Sequence, residues 1–320
     1  MANIKDIAQI AGVSVSTVSR VLNNHPYVSS EKKQAVLQAI DQLQYTRNIN
    51  AVHLSRGNTN LIGVVIPYTN HRYFGRIMEG ISRQANVFGY HLVIFQTNYD
   101  KEKERQALEM LKMKQLDGLI ICSKINELKT IHEYKQYGPI IFCEDLAQTT
   151  FPSVSIDHYA AFSCAIEFLH KKGYRKIGYS LGRKTGRNSH LRAKAYEDAT
   201  KKYGLETKPE WIFEGCYNMG DGSDIFRKWI DFENRPEALI ITSDQAAAGC
   251  ILSAKQAGID IPGNLAVIGF DNDDIAKLIG ITTVSLPLGA IGKTAFDLFM
   301  ENKDPQKIKL EFELIERQSC

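Results

Sequence analysis

Nowhere in the 320 residues does an apolar run approach the ~18 residues a membrane-crossing helix needs. The first ten residues also lack the apolar stretch and small-residue cleavage site of a secretory signal, so a cytoplasmic protein without membrane contact is expected. The six cysteines (Cys122, Cys143, Cys164, Cys216, Cys250 and Cys320) never fall at C-x-x-C spacing, which predicts reduced, mostly buried thiols. Histidines such as His25, His53 and His71 have no metal-ligand spacing. Asp271-Asn272-Asp273-Asp274 lacks the glycine and spaced glutamate of a calcium loop. Neither G-x-x-x-x-G-K-[ST] nor H-E-x-x-H occurs. Gly182-Arg183-Lys184-Thr185-Gly186-Arg187 is basic enough to attract phosphate, but it lacks the residue order of a P-loop and is expected to border a pocket. Together these absences predict no enzyme, no metal and no cofactor.

What is present is unevenly placed. The net charge of +3 sits in the first 60 residues, where Lys5, Arg20, Lys32, Lys33, Arg47 and Arg56 face only Asp6, Glu31 and Asp41; the other 33 basic and 33 acidic residues cancel. A basic headpiece on a neutral body suits a polyanion. Up to about Thr59 the apolar spacing is helical: Ile4, Ile7, Ala8 and Ala11 predict a short helix ending at Gly12. Ser14 then caps a second helix carrying Val18, Val21 and Leu22, and a third starts at Ser29 or Ser30 and buries Val36, Ala39, Ile40 and Leu43. After Thr59, short apolar runs (Leu61–Ile66, His91–Phe95, Gly118–Cys122, Pro139–Cys143, Lys176–Leu181, Ala238–Thr242 and Leu265–Phe270) alternate with helical stretches such as Phe74–Phe88. Apolar strands each followed by a helix predict an α/β fold of two doubly wound parallel sheets, with a ligand crevice outside the strands' carboxyl ends.

Residues Ile4 to Asn23 have helix-turn-helix spacing, and the second helix shows Val15, Ser16, Thr17, Ser19 and Arg20 where a solvated helix would carry Glu and Lys. Small hydroxyls let a helix sit deep in a major groove, and an Arg fork fits guanine O6 and N7. Ile4-Lys5-Asp6-Ile7-Ala8, Ala11-Gly12-Val13-Ser14, Thr17-Val18-Ser19-Arg20-Val21-Leu22-Asn23 and Leu43-Gln44-Tyr45 together resemble the headpiece of the LacI/GalR repressors. The resemblance implies base reading by Val15, Ser16 and Arg20 and phosphate contacts around Ser14, Thr17, Ser19 and Asn23. It also implies a hinge helix that orders on operator DNA and wedges Leu54, with Ala51, into the minor groove. Here the chain departs from the family: Arg47 stands where Pro is usual and Ala51-Val52 where Ala-Arg is usual. An inert linker is the alternative.

The likeness continues through Ile62-Gly63-Val64-Val65-Ile66-Pro67, Lys114-Gln115-Leu116-Asp117-Gly118, Ser243-Asp244 and Val267-Ile268-Gly269-Phe270-Asp271-Asn272. It implies a two-lobed, periplasmic-binding-protein-like core. The expected organisation is a headpiece over 1–46, a hinge over 47–59, an N-lobe over 60–157 plus 287–304, and a C-lobe over 158–286 plus 305–320. By resemblance, Tyr73, Phe74, Asp157, Asn188, Arg192, Tyr217, Asp244 and Asp271 form an effector pocket suited to a sugar or sugar phosphate. Asp244 is equally placed to cap a helix, Asp271 to make a turn and Tyr217 to pack. Tyr68 and His71-Arg72 replace the Asp and Asn-Pro usual in sugar-binding members, and their positive charge points to an anionic effector, a protein partner or no sugar. Within the family the chain is most similar to the catabolite control branch of Gram-positive bacteria. That likeness implies a homodimeric repressor on a near-palindromic operator, with phosphorylated HPr as a candidate co-regulator. A solute-binding protein or a sugar-modifying enzyme are the rival readings.

Overall fold

The computed structural model describes residues 2–46, 57–146, 150–301 and 306–320. The chain divides into two compact units, Met1–Asn58 and Thr59–Cys320.

In the first unit, α1 (Ile4–Ile10) opens with Asn3, whose side chain accepts the N–H groups of Lys5 and Asp6 while the Asp6 carboxylate accepts the Asn3 N–H at 2.8 Å. This reciprocal cap satisfies donors that no intrahelical carbonyl can reach. Gly12, at φ +62°, turns the chain into α2 (Val15–Leu22), capped as expected by Ser14, whose Oγ accepts the Thr17 N–H at 3.2 Å. Ser29, not Ser30, caps α3 (Ser30–Gln42). Ile7, Val18 and Val36 close the centre with no exposure, and Ala8, Val21 and Ala39 complete it; Ile40 and Leu43 are only half-buried.

The second unit begins with β1 (Leu61–Ile66), α4 (Arg72–Val87), β2 (His91–Gln96), α5 (Lys101–Lys112), β3 (Gly118–Ile121), α6 (Leu128–His132), β4 (Ile140–Phe142) and β5 (Ser153–Ile156). It crosses to α7 (His158–Lys171), β6 (Ile177–Ser180), α8 (Arg187–Tyr203), β7 (Ile212–Phe213), α9 (Met219–Asp231), β8 (Ala238–Ile240), α10 (Asp244–Gln256), β9 (Ala266–Phe270), α11 (Asp274–Ile279) and β10 (Thr282–Ser285). It then returns through α12 (Leu288–Glu301), β11 (Lys307–Leu310) and β12 (Glu313–Ile315). Among the described residues there are two six-stranded sheets, ordered β11-β5-β4-β3-β1-β2 and β12-β10-β9-β8-β6-β7. Every pairing is parallel except that of β12 with β10.

The topology corrects the expected lobe division at one place. β11 extends the N-lobe sheet by pairing with β5, so the third crossing lies at residues 311–312 and not between 304 and 305. The other two crossings follow Ile156 and Ser285. In the N-lobe, α4 and α12 pack with their backbones touching. A Cβ on Gly80 would overlap the Gly289 carbonyl oxygen, and one on Gly292 would overlap that of Ile77. Where the core begins, the Asp117 carboxylate accepts from Thr59 N at 2.7 Å, Thr59 Oγ1 at 2.9 Å and Asn60 N at 2.8 Å, fixing this end of the chain to the loop before β3.

Candidate functional site

Two faces stand out, one on each unit. On the headpiece, burial of Val18 and Val21 turns the opposite side of α2 outward. Val15 is 42% exposed and Ser16 and Arg20 are exposed beside it, while Thr17 and Ser19 are half-buried. Ser14 Oγ lies 2.8 Å from Ser16 Oγ and 2.9 Å from Thr17 Oγ1, and Asn23 Nδ2 donates to the Ser19 carbonyl at 2.9 Å. Arg20 forms no ion pair among the described residues. The seven headpiece residues singled out from the sequence therefore lie together at the start and along the outer side of one helix. Ala51 and Leu54 lie outside the described residues.

In the core, a pocket opens between the lobes. Its walls are the residues that follow the strands' carboxyl ends: His71, Tyr73 and Phe74 after β1, Tyr99 after β2, Ser123 after β3, Glu144 after β4, Arg183, Arg187, Asn188 and Arg192 after β6, and Tyr217 after β7. Rings form one side. The Tyr217 centroid lies 5.6 Å from both Tyr68 and His71, His71 is 5.5 Å from Phe74, and Phe74 is 5.1 Å from Tyr73.

Charge forms the other side. Arg192 is 9% exposed, lies 5.2 Å above the Phe270 ring, and points Nη2 at His158 Nδ1 across 3.4 Å, while its Nε has no partner. Burial lowers its affinity for its proton. Burial, and then Arg192, push the His71 imidazole down to about 4, and the same two causes depress His158, so both rings are neutral at physiological pH. Arg183 stacks on Tyr99 at 3.9 Å, and Arg187 reaches Asp145 of the other lobe at 3.4 Å. Burial raises the Glu144 carboxyl to about 7 even though its Oε1 accepts the Lys124 N–H at 2.8 Å.

Five of the eight expected pocket residues line this space: Tyr73, Phe74, Asn188, Arg192 and Tyr217. The structure corrects the placement of the other three. Asp157 caps α7 by accepting the Ala160 N–H at 3.0 Å and pairs with Lys309 at 3.2 Å, so it serves the lobe crossings. Asp244 is the first residue of α10, whose N-cap is Ser243. Its oxygens accept from Thr283 Oγ1 and Asp273 N, both at 2.7 Å, and burial followed by the neighbouring Asp271 raises it to about 8. Asp271, at φ +99°, is fully enclosed behind Arg192 with Oδ1 unpartnered, and burial lifts it to about 7.

The positive charge expected at His71-Arg72 does not face the pocket. His71 is neutral and Arg72 is tied across the lobes to Asp273 at 2.9 Å. The guanidinium groups come instead from Arg183, Arg187 and Arg192, in and after the loop read as a pocket border. Tyr99 and Glu144 were not singled out, because neither belongs to a motif and only the topology brings them here. Gly178-Tyr179-Ser180-Leu181-Gly182 has the spacing of a hydrolase nucleophile elbow, but Ser180 is fully buried and its Oγ accepts the Thr242 N–H at 3.1 Å. No group of three or more potential metal ligands occurs among the described residues, and no helix of those residues is long and apolar enough to cross a membrane.

Residues 3–48 match the family of bacterial regulatory proteins of the lacI family, and residues 59–317 match the periplasmic binding proteins and sugar binding domain of the LacI family. The chain is 44% identical over 320 residues to the HTH-type transcriptional regulator YkvZ of Bacillus subtilis, covering 99% of each. It is 37% identical over 311 residues to catabolite control protein B of the same organism, covering 97% of this chain and 98% of the relative. Among solved structures, the lac repressor dimer bound to operator and an anti-inducer shares its fold at a TM-score of 0.85 and 22% identity, over 99% of this chain and 98% of that one. With its helix-turn-helix headpiece and two-lobed effector-binding core, the chain belongs to the LacI family of DNA-binding transcriptional regulators.

Proposed function

We propose that the protein is a homodimeric repressor of the cytoplasm, each headpiece reading one half of a near-palindromic operator, controlled by a sugar or sugar phosphate held between the lobes. The observation that carries the DNA-reading part is the outward row of Val15, Ser16 and Arg20 on a helix whose other side is locked by Val18 and Val21. Ser14, Thr17, Ser19 and Asn23 supply short polar groups toward phosphate. Ala51 and Leu54 are proposed as the hinge wedge on the family resemblance alone. Exposed apolar residues on the core, including Val87, Ile94 and Leu278, support pairing of two copies. The effector acts by favouring one separation of the lobes, so its effect on DNA is limited to its difference in affinity for the two states.

The similarity to catabolite control protein B supports a regulon in carbohydrate or carbon catabolite control. Genomic footprinting with and without candidate sugars and sugar phosphates tests that placement, and an arm with phosphorylated HPr tests the protein co-regulator. The DNA-reading claim has a sharper test. Arg20→Ala is expected to cost about 1–3 kcal/mol of discrimination between operator and random duplex at fixed salt. A monomer that binds both duplexes equally before any substitution would overturn the proposal.

A further inference from the structure

We propose that Cys122 and Cys143 form a dithiol site beneath the pocket, which hydrogen peroxide converts to a disulfide and a thiol reductant restores.

The case begins with strand register. β3 and β4 run parallel, with Ile120 opposite Ile141 and Ile121 opposite Phe142, and the Cys143 N–H continues the ladder by donating to the Ile121 carbonyl at 2.9 Å. Cys122 and Cys143 are therefore the next opposed pair, one step beyond the ends of both strands. Successive side chains alternate between the faces of a sheet, so the two thiols lie on the side that holds Ile120 and Ile141, away from Ile121 and Phe142. Neighbouring strands run about 4.8 Å apart. That spacing falls within the Cα separation of about 4.4–6.8 Å that a disulfide spans without moving the backbone. The two thiols are already hydrogen-bonded to each other.

Access is the second observation. Both residues are almost enclosed, but Cys122 lines the pocket and Cys143 lies behind it. The hydrogen bond with Cys122, and then burial, push the Cys143 thiol up, so Cys143 keeps its proton. Cys122 is thus the sulfur that a small oxidant meets first. It attacks one peroxide oxygen, the O–O bond breaks, and Cys122 becomes a sulfenic acid as the other oxygen leaves in water. The Cys143 sulfur then attacks Cys122, the S–O bond breaks, and the hydroxyl leaves with the Cys143 proton as a second water. Two thiols lose two electrons and two hydrogens, and one peroxide is reduced to two waters. Other thiols are engaged elsewhere: Cys216 donates to the Glu214 carbonyl at 3.6 Å and Cys320 to that of Val267 at 3.3 Å. Ser123 and Glu144, the residues next in sequence to the two cysteines, both line the pocket, so the new bond sits directly under two of its walls.

The test is oxidation of the reduced full chain with hydrogen peroxide, followed by alkylation in denaturant and peptide mass mapping. The expected result is a peptide pair joined through Cys122 and Cys143, free thiols reduced by two from six, and full recovery with dithiothreitol. Cys122 and Cys143 still reduced after the half-buried Cys164 has been oxidised would overturn the inference. So would Cys122 joined to Cys216, or Cys122 driven to sulfinic acid with no disulfide. The order of attack has its own check. Cys143→Ser, oxidised with dimedone present, should carry the sulfenic-acid label at Cys122, whereas Cys122→Ser should carry none at Cys143. The reverse labelling would overturn the route through the pocket. The mapping needs no substitution, so a variant that fails to fold still leaves the site decided.

Discussion

Asp244 shows how a residue that looks like ligand chemistry can be spent on the fold. Its two oxygens hold Thr283 and the backbone of Asp273, so it ties β10 to the loop after β9 from the start of α10. Enclosure raises the folded carboxyl to about 8, whereas an unfolded aspartate titrates near ~3.9. Between these values the unfolded chain has lost the proton and the folded chain still holds it. Stability contributed here is therefore full below about pH 4 and lost as pH rises toward 8. Asp244→Asn removes this linkage. Urea midpoints at pH 5 and pH 8 should differ less in the variant than in the parent, against a limiting slope of about 1.4 kcal/mol per pH unit for one proton. The variant should also be weaker at pH 5, since an amide offers only one of the two acceptors. An unchanged pH difference would show that Asp244 is ionised when folded. In the sequence, the strand-to-helix junction at Asp244 reads equally well as pocket or cap, and only the register of β10 against β9 decides between them.

At the scale of elements, α4 and α12 meet through glycine, and the contact leaves no room for a side chain. Gly80→Ala and Gly292→Ala should each destabilise the core by about 1–3 kcal/mol, because a Cβ must push a backbone carbonyl and not a yielding side chain. Equilibrium denaturation measures this, and a neutral result would mean the helices part without cost. The elements legible in the sequence were those with an unbroken apolar run or a clear cap. β1 is found at the expected residues, and the strands from β3 to β9 named in advance lie inside their expected runs. β5 and β10 escaped notice because Ser153, Ser155, Thr282 and Thr283 interrupt the apolar pattern, although the folded sheet buries them. β11 and β12 are short edge strands with one side toward solvent, so Lys307–Leu310 reads as a polar tail. The pocket was half legible for a related reason. Residues beside glycine turns signal themselves, whereas Tyr99 and Glu144 reach the site only through strand order.

At the scale of the whole core, two arginines form ion pairs across the lobes beside the pocket, Arg72 with Asp273 and Asp274 and Arg187 with Asp145. Arg72 is half exposed but its partner Asp273 is buried, so screening on the Arg72 side keeps the pair at about 1 kcal/mol. Arg72→Ala should then weaken effector binding by no more than about fivefold and leave effector-free operator affinity unchanged; a larger loss would make closure depend on this one contact. The Asp117 clamp has a different bearing. Thr59 and Asn60 are bonded to a loop of the N-lobe. The start of the core is therefore moored to the N-lobe, and a turn of that lobe would carry this mooring with it. Cutting it with Asp117→Ala should leave both ligands able to bind while each loses its sense of the other, which appears as a shrunken ratio of operator affinities with and without effector.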